Sequence, residues 1–241
     1  MTRDPSTTNR RPFTKLALVG GGLFALLTPA ACGSSSTGAS PQTLLQQSKG
    51  VLDSTKGVHF TLQSSNAGTT GTVIKGGQGD LVRPDSVQGS LDVLVKSLPA
   101  TVKVVAVGNT VEAQLPFSTT YSKIDPATFG LGNPADLLNR QRGLSGLLTA
   151  GANPQSAGTE RISGELLDKI KTSVPGTAVP LLPDQNPSQP VELVAAIDPS
   201  NHQLRQLTLT GPFTSTTTSS TYVVTLTNYG EQPQINLPPV S

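Results

Sequence analysis

"LDVLVKSLPATVKVVAVGNTVEAQL", residues 91–115, alternates apolar and polar side chains over most of its length. Leu91, Val93 and Val95 fall on one side, opposite Asp92 and Lys96, while Val102, Val104 and Ala106 alternate with Lys103 and Val105. A period of two marks extended strands with one buried face. Gly108 and Asn109 precede a further run to Leu115, and that pair suits a tight turn. The stretch therefore predicts an antiparallel meander whose apolar face must be covered by something else.

Upstream, the same alternation places Val58, Phe60 and Leu62 against His59, Thr61 and Gln63. Before it, Ser40 and Pro41 form a cap followed by a first-turn proline. Leu44, Leu45, Val51 and Leu52 then recur at helical spacing up to Gly57, which predicts one amphipathic helix. Between these strands lies "KGGQGDL", residues 75–81, read as a β-turn.

Downstream the pattern changes. "DPATFGLGNPADLLNRQRGLSGLLTAG", residues 125–151, offers Asn133 as a cap, Leu137, Leu138, Leu144, Leu147 and Leu148 as an apolar stripe, and Gly151 as a stop. One helix is predicted, bent at Gly143 and Gly146 and able to move there. "TERISG", residues 159–164, reads as a short strand, "GELLDKIKTSVPG", residues 164–176, as a helix, and Thr177–Pro190 as a proline-rich loop. Strands return with "VELVAAID", "LRQLTLTG" and "TYVVTLTNYG", the first two joined by a turn at "PSNH". The Ser/Thr run over residues 214–221 reads as a hairpin tip, because threonine suits strands and strongly apolar strands flank it. The sum is an α+β domain, one antiparallel sheet with helices on its apolar face.

The chain has 241 residues, 35 % of them hydrophobic, with 24 glycines, 20 prolines and no tryptophan. That supports one moderate core without dense aromatic packing. The formal charge of +2 comes from the N-terminus, since Arg3, Arg10, Arg11 and Lys15 precede the first long apolar run. Beyond residue 31 there remain 13 basic and 14 acidic side chains, so charge gives no reason to expect a nucleic-acid partner.

That N-terminus has a basic stretch, an apolar run from Leu16 to Leu27, and small residues before Cys32, the only cysteine. The run is short for a membrane span and has the layout of a secretory signal. A lone thiol just after the cleavage position, followed by "GSSSTG", reads as a lipoprotein acylation site, with Pro29 standing where a leucine is usual. The expected division is a signal at residues 1–31, a tether at 32–40 with a reach of roughly 26 Å, and one domain at 41–241. Cys32 then anchors an exported protein to the cell membrane, facing the periplasm or envelope.

Catalytic signatures are thin. His59 and His202 have neither a cysteine nor a carboxylate at ligand spacing, so no metal and no cofactor are expected. No G-x-S-x-G elbow, G-x-G-x-x-G fingerprint or P-loop occurs. Asp85, Asp92 and Asp125 read as solvated carboxylates, and the chain is not expected to be an enzyme.

Several stretches resemble the LprG, LppX, LprA and LprF family of mycobacterial and related actinobacterial lipoproteins. They are Cys32; "DPATFG" and "NPADLLNRQRGLSGLL" with Asp125, Pro126, Gly143 and Leu144; "RISG" at 161–164; "NHQL" at 201–204; and the ending "VTLTNYGEQPQINLPPVS". The final Pro238–Ser241 matches the LprG branch. The resemblance implies a half-barrel, a curved antiparallel sheet wrapped around helices like the LolA and LolB carriers, with an internal apolar cavity for acyl chains. It also implies carriage of glycolipids or other complex lipids between membranes, with a major-facilitator transporter as a partner.

A 16-carbon chain costs on the order of 12 kcal/mol to expose to water, so a sheltered cavity gives such a role a physical reason. The expected wall is the face of Leu91, Val93 and Val95 with Val102, Val104 and Ala106, joined by Phe60 and Leu62. Leu193, Ala195, Tyr222, Val224 and Leu226 add the closing strands, and Leu137, Leu138, Leu144 and Leu147 add a lid. The alternatives are a surface-displayed binding lipoprotein without a cavity, which would carry no lipid, and an envelope hydrolase, which would turn over an ester or glycan.

Overall fold

Ser40 caps the first helix as its sequence implies, its hydroxyl accepting the Thr43 amide at 3.1 Å. The computed structural model describes residues 39–68, 72–179, 189–213, 215 and 217–239, so the signal segment, Cys32 and most of the tether lie outside the described residues. Helix α1, Pro41–Ser54, buries Leu45, Ser48 and Leu52. Its last carbonyls are taken up by Arg83, which donates to Leu52 O and Thr55 O and reaches Leu138 O as well.

Eleven strands follow: β1 Gly57–Ser65, β2 Thr72–Val82, β3 Ser86–Val95, β4 Leu98–Val107, β5 Thr110–Gln114, β6 Ser122–Ile124, β7 Ala152–Ile162, β8 Glu165–Pro175, β9 Pro190–Ile197, β10 Leu204–Gly211 and β11 Ser220–Thr227. They form one antiparallel sheet in the order β6-β5-β4-β3-β2-β1-β11-β10-β9-β8-β7. The first and last strands meet in the middle, β1 pairing with β11, and the sheet stays open at β6 and β7. The fold is an α+β half-barrel, a curved sheet wrapped around the helices. Among the described residues no helix is long and apolar enough to cross a membrane.

The meander read from residues 91–115 is present as β3, β4 and β5, with the turn at Gly108, whose φ is +58°. The hairpin tip between Gly211 and Ser220 also forms, joining β10 to β11; Thr214 and Thr216 lie outside the described residues.

Four expectations need correction. "KGGQGDL" is not a turn but the middle of β2, with a register shift between Ile74 and Gly76. The single helix expected over residues 133–151 is two pieces, a 3-10 turn over Pro134–Leu138 and a short helix α2 over Leu144–Ala150. The Asn139 side chain accepts the amides of Gln141 and Arg142, which stabilises a turn between the pieces. Residues 164–176 form strand β8, and the short strand at "TERISG" is the end of the eleven-residue β7. Helix-favouring Glu165, Leu166, Leu167 and Lys169 are overridden by ladders to β7 and β9 on both sides. Within the proline-rich loop, Gly176–Ala178 make a 3-10 turn, and residues 180–188 lie outside the described residues.

The two edges are blunted. β6 has only three residues, and β7, exposed along nearly all its length, carries two register shifts against β8.

Candidate functional site

Residues directly opposite on neighbouring strands share a face. Phe60, Gly79, Gly89 and Val104 form one such row across β1–β4, and Leu62, Gly77, Leu91 and Val102 form the next. Three of these eight positions, on the two middle strands, have no side chain. A Cβ at Gly79 would lie 2.2 Å from Gln88 O and one at Gly89 2.3 Å from Gln78 O, so the strands coil too closely for any larger residue.

Gly89 borders a cavity of about 120 Å³. The sheet side is Phe60, Leu62, Gly89, Leu91 and Val104, with Tyr222 and Val224 from β11. Leu137 of the 3-10 turn and Leu144 and Leu147 of α2 close it from above. The lining is apolar throughout. Tyr222 also packs edge-to-face on Phe213, ring centroids 5.3 Å apart, and burial pushes its phenol up to about 12. The lid is attached to α1 through Asp53, which accepts Ser145 Oγ at 2.6 Å and pairs with Lys49 Nζ at 2.6 Å.

Nine of the seventeen expected wall and lid residues thus meet around one space. The other eight do not reach it. Val93, Ala106 and Leu138 are buried in the packed core, and Val102 is partly buried against it. Val95, at the end of β3, is 37 % exposed because its strand runs past the covered face. Leu193, Ala195 and Leu226 are fully buried in the packed core, in the half of the sheet where α1 packs against β7, β9 and β10.

The sequence reading missed Ile74, Val87, Val111 and Leu209, which extend the same alternating faces and were legible in principle. It also missed Ile124, Pro126, Phe129, Leu131 and Val179, which sit in a three-residue strand, a 3-10 turn and loops too short to show a period. Gly143 and Gly146 serve close packing. A Cβ at Gly143 would meet Leu137 O at 2.3 Å, and one at Gly146 would meet Gln141 O at 2.1 Å.

On the opposite face of β1 and β2, His59 Nδ1 lies 2.6 Å from Asp80 Oδ1, while Gln88 Nε2 donates to Asp80 Oδ2 at 3.1 Å. Burial raises the Asp80 carboxyl, but hydrogen bonds from His59 and Gln88 and the His59 charge hold it below the ordinary carboxylate range. Sequence spacing gave His59 no carboxylate neighbour, and strand pairing supplies one.

The model of the LppX_LprAFG lipoprotein family matches residues 40–236. The lipoarabinomannan carrier protein LprG of Mycobacterium tuberculosis is 26 % identical over 242 residues, covering 97 % of this chain and 99 % of LprG. LppX of the same species is 31 % identical over 182 residues, covering 69 % of this chain and 71 % of LppX. Among solved structures, LprF from Mycobacterium bovis superimposes with a TM-score of 0.67 at 17 % identity, covering 82 % of this chain and 96 % of LprF. LppX from Mycobacterium tuberculosis gives 0.58 at 17 % identity, covering 81 % and 98 %. With the family model matched over most of its length and the half-barrel shared with LprF and LppX, this chain belongs to the LppX_LprAFG lipoprotein family.

Proposed function

We propose that the chain is an envelope lipid carrier, holding acyl chains of a glycolipid or similar complex lipid in the cavity and moving them between membranes. One observation carries this reading: a wholly apolar space between the sheet and its covering turns. Such a space offers nothing to a sugar or phosphate and everything to methylenes, each worth roughly 0.8 kcal/mol on leaving water. The relative LprG, named a lipoarabinomannan carrier, supports the class of ligand.

Volume sets how the cavity is used. About 120 Å³ is of the order of the ~150 Å³ engineered cavity that holds benzene, well short of a whole acyl chain. The walls therefore open as the lipid enters, and the headgroup stays outside. On this reading Cys32 carries the membrane anchor, which is stable with two or more acyl chains, and the residues before Ser40 act as a tether. A major-facilitator transporter is the proposed source of the lipid. The role is that of a carrier and includes no catalytic step.

The test is mass analysis of lipids extracted from a non-acylated version beginning after Cys32, purified from an actinobacterial host. An acylated lipid at near one per chain is expected. A protein that comes away without lipid overturns the reading and favours a display role.

A further inference from the structure

His59 and Asp80 are joined by a third group from a distant part of the chain. Glu231 follows β11 in a segment held against the start of β1: Gly230 N–H donates to Gly57 O at 2.8 Å and to Thr55 Oγ1 at 3.1 Å, and Glu231 N–H donates to Asn228 O at 3.2 Å. Gly57 is required for that approach, because a Cβ there would lie 2.2 Å from Glu231 O. One ligand atom each from His59, Asp80 and Glu231 lies within 4.8 Å of the others.

The chemistry of this group is unbalanced as it stands. Among the described residues neither Asp80 nor Glu231 pairs with a lysine or arginine. The Glu231 carboxyl lies against that of Asp80, and its Oε1 is buried with no donor in reach. Two carboxylates facing one imidazole leave net negative charge in a part-buried place, where unpaired polar atoms are costly. Even an imidazolium, with a single positive charge, balances only one of the two.

We propose that His59, Asp80 and Glu231 form a binding site for a divalent transition-metal ion of the Zn²⁺ type. An imidazole nitrogen with two carboxylate oxygens is a donor set such ions accept, and three protein ligands leave a fourth position for water. The imidazole favours Zn²⁺ over Mg²⁺ or Ca²⁺, which take oxygen ligands. The site lies on the outer face of the strand pair whose inner residues Phe60 and Leu62 line the cavity, and it does not depend on lipid carriage. Its effect is to fasten the segment after β11 to β1 and β2.

The test uses the full chain in detergent micelles, stripped with a chelator and titrated with ZnCl₂ by calorimetry, with thermal unfolding measured in parallel. One ion per chain is expected, with a rise in the unfolding midpoint and no heat from MgCl₂. His59→Gln and Glu231→Gln should each weaken binding by about tenfold or more. Glu231→Gln keeps the size of the side chain and the backbone hydrogen bonds that hold this segment, so it should fold with the metal-stripped midpoint and decides the matter if His59→Gln does not fold. No stoichiometric binding overturns the proposal, as does binding undiminished in Glu231→Gln, which would place the ion elsewhere.

Discussion

Gly79 and Gly89 stand opposite one another on β2 and β3, each where a Cβ would come within 2.9 Å of the other's Cα. The two strands therefore cannot accept side chains at this point, and Gly89 borders the cavity. Gly89→Val would add bulk to both the ladder and the cavity. It should destabilise the fold by ~1–3 kcal/mol in urea unfolding. An unchanged midpoint would mean the strands have space that their spacing denies.

Leu91 leans over Gly77, its Cδ2 2.7 Å from where a Gly77 Cβ would be, and borders the cavity. Leu91→Trp should spend the empty volume and remove most co-extracted lipid, at a stability cost under about 1.5 kcal/mol. Undiminished lipid in a folded variant would count against the cavity as the binding place.

The two halves of the sheet should respond differently to the same truncation. Leu193 has no exposed surface and sits under α1, so Leu193→Ala should cost ~2–5 kcal/mol. Leu62 borders space that is already empty, and Leu62→Ala should cost clearly less. Equal losses in chemical denaturation would contradict this division.

Asp53 ties α2 to α1 through Ser145, with Arg83 Nη2 also 3.6 Å away. Asp53→Ala should cost about 2 kcal/mol. It should also speed amide exchange over Leu144–Ala150 more than over β9 and β10, as followed by hydrogen exchange mass spectrometry.

Alkaline stability should depend on two buried tyrosines. Burial raises Tyr222 to about 12, and Tyr229, whose hydroxyl donates to Leu204 O at 2.7 Å, is raised further. Each raised pKa makes the folded state hold its proton where the unfolded chain has lost it. The contribution is whole below the ordinary phenol value of 10.0 and declines as pH climbs toward 12. Tyr222→Phe keeps the packing on Phe213 and should flatten stability against pH over that window.

Much of the site was legible where residues repeat. Phe60, Leu62, Leu91 and Val104 announce their common face by alternation, and Ser40 announces α1 by its cap. Residues 164–176 misled because Leu166, Leu167 and Ile170 are spaced for a helix, while the later alternation of Ile170, Thr172 and Val174, all buried but Leu166, is the signal that β8 obeys. Which half of the sheet is hollow was not legible at all. Leu193 and Val104 have the same pattern in the sequence, yet Leu193 is packed solid while Val104 borders the cavity, and nothing in the alternation separates them.

The short edge strand β6 has a mechanical meaning. A closed barrel can widen only by breaking a full ladder, whereas this sheet has a seam. β6 is held to β5 by the register of Val111, Glu112 and Ala113, and its Ile124 borders the cavity, with Pro126 and Phe129 just beyond. Parting the seam there sacrifices a few hydrogen bonds and leaves the ten-strand remainder intact, so the molecule can gape at one margin while its core keeps its shape.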